Sequence, residues 1–180
     1  AVLVAGLAWA TGRRSRELRP AAHVYDQALC AGFDPERATR VRIDNLERGV
    51  QLTLERDARG TWFLTDPLAY PAVGELVELL LATIASARGP LDALTSLADA
   101  HLDPPLAVVE VSTGAAPAWR LEIGRVDLDG QRVFVRVPGH PARSPAGEAA
   151  VLLVPRTLYT TLDRNPDDYR FPRVTSLART

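Results

Sequence analysis

The chain has 180 residues, 47% hydrophobic and 24% charged, which suits one globular domain or two small ones sharing a sheet, with enough length to bury a core. Its formal net charge is -1, and Arg residues are spread among acids, so no dense basic face is available to follow a phosphate backbone and nucleic acid is not an expected partner. All 21 of its Lys and Arg residues are Arg. That excludes Schiff-base formation, the phosphate-binding Lys of a P-loop and a Ser-x-x-Lys nucleophile.

"AVLVAGLAWATGRRSRELRP" opens the chain with an apolar run from Ala1 to Ala10 and turns basic at Arg13, Arg14, Arg16 and Arg19. The run is about half of the roughly 20 residues that a membrane span needs. It reads either as the tail end of a transmembrane helix or as a core or amphipathic helix; Trp9 near its end and the lack of a polar face favour the first. A start at Ala1 with no Met anywhere reads as a processed or trimmed chain. Residues 1–12 are therefore taken as the end of an anchor and 13–32 as a linker. The four Arg favour a cytoplasmic placement of the globular part, by the positive-inside tendency.

"FDPERATRVRID" begins with Asp34 as N-cap, Pro35 at the first helical position and Glu36 in the first turn, the signature of a short helical turn. Val41 and Ile43, then Val50, Leu52 and Leu54, alternate with polar residues, predicting two half-buried antiparallel strands. A third strand follows at Thr61 to Leu64, with Trp62 and Leu64 facing the core. Pro67 stops it, and Pro71 precedes a helix predicted from Ala72 to Arg88. Val73, Leu76, Val77, Leu80 and Ile84 form its apolar stripe, widened by Leu79 and Leu81, with Glu75 and Glu78 on the wet side. Gly89 and Pro90 end it, and "LDALTSLADAHL" reads as a second, shorter helix.

The remainder is mostly strand. "LAVVEVST", "WRLEIGRV" and "RVFVRVPG" show two-residue alternation, and "DLDG" supplies the turn between the last two. In the third of these, Val133, Val135 and Val137 face inward, which turns Phe134 outward between Arg132 and Arg136. An exposed aromatic flanked by Arg is a candidate partner contact; the competing reading is that another helix covers it. After "HPARSPAGEA" comes a strand "AVLLV", and Pro155 opens a helix at about Arg156 to Asp163. The expected fold is thus α+β: two antiparallel β-meanders, each followed by a covering helix, preceded by the end of an N-terminal membrane helix.

Chemistry-bearing residues do not assemble into a motif. Cys30, the only cysteine, reads as a small buried apolar residue. His23, His101 and His140 lack partners at zinc-ligand spacing, and the glycines form no phosphate-cradling cluster. Asp163, Asp167 and Asp168 beside Arg164 and Arg170 read as an ion-paired terminus. No catalytic residue, cofactor or metal is expected.

"FDPERATRVRI", "GTWFLTDPLAYPAVGELVELLLATI", "LDPPLAVVEVST" followed by "WRLEIG", and "DDYRFPRVTSL" together resemble the bacterial domain-of-unknown-function family DUF4340, over residues 33–177 with subunits at about 33–102 and 103–165. The resemblance implies a membrane-anchored protein with its globular domain extracytoplasmic, on the periplasmic side, against the placement that the four Arg favour; it also implies association with gliding-motility-type ABC transporters and no established enzymatic activity. The chain stops soon after "YRFPRV", where such proteins often continue into a further copy of the domain. The expectation is a non-catalytic accessory or scaffold subunit of a membrane protein complex, held by the N-terminal helix; the alternative is a soluble extracytoplasmic module for a peptide or glycan.

Overall fold

The computed structural model describes residues 26–114, 118–143, 147 and 149–170. The apolar run, most of the linker and the end of the "DDYRFPRVTSL" stretch lie outside the described residues. Among the described residues, no helix is long and apolar enough to cross a membrane.

The architecture is mostly β, with few helices. Strand β1 (Gln27–Ala28) lies in the stretch read as linker and is followed by buried Leu29 and Cys30. A 3-10 turn at Pro35–Arg37 follows, where the Asp34 carboxylate accepts the Glu36 amide at 3.0 Å, as the capping pattern suggested. Next come β2 (Arg40–Asn45), β3 (Val50–Arg56), β4 (Trp62–Asp66), β5 (Tyr70–Pro71) and helix α1 (Gly74–Ser86). The second half holds β6 (Arg88–Gly89), β7 (Leu91–Asp92), β8 (Ala107–Ser112), β9 (Trp119–Val126), β10 (Arg132–Arg136), β11 (Val151–Pro155) and α2 (Thr157–Leu162).

Nine of these strands form one antiparallel sheet in the order β5-β4-β3-β2-β8-β9-β10-β11-β7, and β1 pairs with β6 in a small second sheet. The two meanders are therefore joined back to back. The first strand of each, β2 and β8, pair antiparallel at the centre, with Ile43 opposite Val109, and each meander steps outward from there.

One face of the sheet is covered by the helices. Val41, Ile43, Leu52, Leu54, Trp62 and Leu64 from the first meander and Val109, Leu121, Ile123, Val133 and Val135 from the second are buried with Val77, Leu80, Leu81 and Ile84 of α1 and Leu158 and Leu162 of α2. The two helices also lie against each other. Trp62 is 2% exposed and its indole Nε1 donates to Glu78 at 2.9 Å, so Glu78 of the expected wet side also latches helix to sheet. Leu79, expected to widen the apolar stripe, is instead exposed.

The predicted helix over "LDALTSLADAHL" does not form. Leu91 and Asp92 pair with Leu152 and Val151 of β11 as an edge strand. The Asp92 carboxylate then accepts the amides of Leu94 and Thr95, and Ser96 Oγ both accepts the Asp99 amide and donates to its carboxylate. Short polar side chains here bond the local backbone into turns, outcompeting a helix that only apolar periodicity recommended.

Candidate functional site

Residues 93–106 cross the other face of the sheet over β9 to β11. Ala100 and Leu102, with Leu97 beside them, pack on Phe134, Val151 and Leu153 in a second small core. The approach is close because Gly124 has no side chain: a Cβ there would collide with the Ala100 carbonyl oxygen. A register irregularity between β9 and β10 falls at this place, and the Arg125 amide donates to Ala100 O at 2.9 Å.

This corrects the expectation for Phe134. It does lie on the opposite face from Val133 and Val135, but it is 5% exposed, covered by the 93–106 segment and by the Arg125 guanidinium at 5.1 Å from its ring centre. Its flanking arginines separate. Arg132 is exposed beside the β9–β10 turn, while Arg136 Nε is held by the Glu122 carboxylate at 2.6 Å. The three residues do not form one exposed patch.

What the described residues leave open is the polar face of β2, β3, β8 and the start of β9. Two-residue alternation turns Arg40, Arg42 and Asp44 of β2 to this side, with Gln51 and Glu55 of β3, Glu110 and Ser112 of β8, and Arg120 and Glu122 of β9. Ion pairs run across it: Arg40 to Glu55 at 3.5 Å, Arg42 to Asp44 at 3.1 Å, Arg120 to Glu110 at 2.7 Å and to Glu122 at 3.3 Å. Gln51 Nε2 donates to Asp44 at 2.6 Å. Burial opposes the charged form of Arg120, but its hydrogen bonds to Glu110 and Glu122 outweigh it and raise the pKa. Where the start of β2 meets the end of β8, Arg40, Arg42, Glu110 and Ser112 line a hollow of about 120 Å³.

Sequence reasoning missed this site. The outward alternation of Arg40, Arg42 and Asp44 was visible, but the hollow exists because β2 pairs with β8, a contact between segments about 65 residues apart that local periodicity does not carry.

Groups with chemical potential elsewhere serve the fold. Cys30 is buried, and desolvation pushes its thiol up to about 12. His140 is buried with Nε2 3.0 Å from the Ala28 carbonyl and Nδ1 accepting the Ala142 amide at 3.1 Å. Burial likewise raises Tyr169 to about 12. Asp163 is paired with Arg48 at 2.6 Å and Asp167 with Arg170 at 2.9 Å. Among the described residues, no group of three His, Cys, Asp or Glu side chains is placed to hold a metal ion.

Comparison with protein-family models, with curated proteins and with solved structures finds no match to this chain.

Proposed function

We propose that the protein is a non-catalytic accessory or scaffold subunit of a membrane-associated assembly, and that it meets a protein partner through the open polar face of its sheet. The observation that carries this reading is the division of that face. One half is sealed by residues 93–106, whereas the half around β2 and β8 is left uncovered by the described residues and patterned with ordered charges around a shallow hollow. Such patterned charge suits recognition, because it fixes register and rejects partners whose charges fall wrongly.

Two further observations support binding over catalysis. The Cys30 thiol is held in its neutral, unreactive form by burial, and both ring nitrogens of His140 are occupied by backbone groups. A membrane tether is supported by the Ala1–Ala10 apolar run, and a transporter-associated, extracytoplasmic setting only by the resemblance to DUF4340.

The test is site-specific photo-crosslinking in membranes of the source organism. A photoreactive residue replacing Gln51, exposed on the open face, is compared with one replacing Leu128, which is 97% exposed in the β9–β10 turn. A discrete protein adduct from position 51 and none from position 128 supports the reading. Equal labelling at both positions, or none at either, contradicts it.

A further inference from the structure

We propose that the hollow between β2 and β8 binds an acidic side chain, Asp or Glu, presented by the partner protein. The inference rests on the reading of the open face as a partner-binding surface, and it names the chemistry that surface selects.

The register sets Arg42 directly opposite Glu110, and Arg40 opposite Ser112. Opposite charges facing each other across paired strands are well placed to pair. Here they turn apart: Arg42 goes to Asp44 on its own strand, and Glu110 goes to Arg120 on the next. The hollow is the space left between them.

Its unspent hydrogen-bonding capacity is mostly that of donors. A guanidinium carries five N–H donors. Arg42 meets Asp44 through a single terminal nitrogen, and Arg40 meets Glu55 through Nε at 3.5 Å, at the outer limit of such a contact. Both side chains remain about half exposed, at 54% and 42% for Arg40 and Arg42. Ser112 adds a hydroxyl that can donate. The one acid in the wall, Glu110, is already held by Arg120 at 2.7 Å. A cation entering the hollow would compete with Arg120 and face two guanidiniums, whereas a carboxylate would meet donors on both sides.

Size and surroundings narrow the class. A volume of about 120 Å³ is well below the roughly 300 Å³ at which drug-sized ligand sites begin. It suits one carboxylate group. A phosphodiester chain is disfavoured because Asp44, Glu55 and Glu110 flank the two arginines and would repel its neighbouring phosphates.

The experiment is an NMR titration of the full chain, following arginine Nε–Hε and backbone amide signals. The probe is an N-acetylated, C-amidated peptide with a single Glu among Ser residues. Controls replace Glu by Gln, once with an amidated and once with a free C-terminus. The Glu peptide is expected to shift Arg40, Arg42 and Ser112 at about 10 mM, which exceeds the Kd of a millimolar contact tenfold, and raised salt should reverse the shift. Arg42→Gln should weaken binding about tenfold or more, as loss of a charge-assisted hydrogen bond does. Asp44 keeps its bond from Gln51 in that variant, so an unchanged melting temperature is expected.

No shift at these residues, shifts with the free-C-terminus control alone, or equal binding by Arg42→Gln would each overturn the assignment. The crosslinking result is independent. An adduct from position 51 together with an inert Glu peptide removes the carboxylate inference and leaves the binding face standing; a binding Glu peptide with no adduct leaves the hollow an affinity for carboxylates but removes the partner that was to present one.

Discussion

Replacing Trp62 tests the packing that holds helix to sheet. Its ring is 2% exposed, lies 3.8 Å from where a Cβ on Gly74 would sit, and has the Arg56 guanidinium 5.7 Å from its centre. A buried Trp removes roughly 200 Å² from water, worth about 5 kcal/mol at 25 cal/mol per Å². Partial collapse of the site makes a loss of about 3 to 5 kcal/mol the expected result for Trp62→Ala. In a domain of this size that lowers the melting temperature by about 6 to 20 °C. Trp62→Phe separates the two contributions. It keeps most of the apolar area but removes the 2.9 Å bond to Glu78, whose side chain is 45% exposed and can return to water. About 1 to 2 kcal/mol is then expected. Urea unfolding followed by far-UV circular dichroism measures both, with unchanged slopes confirming that only stability moved. Trp62→Ala within about 1 kcal/mol of wild type would refute the reasoning.

Gly124→Ala should cost about 1 to 3 kcal/mol by forcing a methyl against the Ala100 carbonyl, and amide exchange in 97–102 should speed up; unchanged exchange would mean that the segment does not seal the sheet there. Cys30 in the native protein should resist a thiol reagent at neutral pH and react on unfolding in urea, whereas labelling at the rate of a free thiol would contradict its burial. Burial tends to raise the Asp127 pKa, but backbone amides of Arg132, Gln131 and Gly130 and a side-chain bond with Asp129 outweigh it and lower it. A depressed carboxylate contributes stability that is present above the unfolded pKa near 3.9 and lost as pH falls through the folded one. Acid unfolding below about pH 4 should therefore be shallower in Asp127→Asn, and an unchanged acid profile would show that the turn contributes nothing.

Local patterning made much of the fold legible. Alternation placed β2, β3 and β9 almost to the residue, because each turns its apolar residues to the core on one face and polar residues to the other over most of its length. Asp34 and Pro35 announced the 3-10 turn, and Asp-Gly chemistry announced the hairpin at Gly130, which has φ 74°. Where local pattern misled, a nonlocal contact or a side-chain bond decided. Leu91 had the same apolar character in either role, but pairing with β11 claimed it for a strand. Phe134 was assigned to the correct face, yet what covers it comes from residues 97–102, which the sequence suggested were a helix elsewhere. The hollow was hidden for the same reason: its two walls belong to different meanders.

The most direct measurement is partner recovery from solubilised membranes by three forms of the chain: wild type, Arg40→Ser/Arg42→Ser, and Leu128→Ser. All three should melt within about 2 °C of one another, since the changed residues are exposed or half-exposed and their ion pairs contribute little to stability. If the open sheet face is the binding surface, the double variant recovers at least about tenfold less of the partner than wild type, while Leu128→Ser recovers as much as wild type. Equal recovery by the double variant and wild type would contradict the assignment of that face.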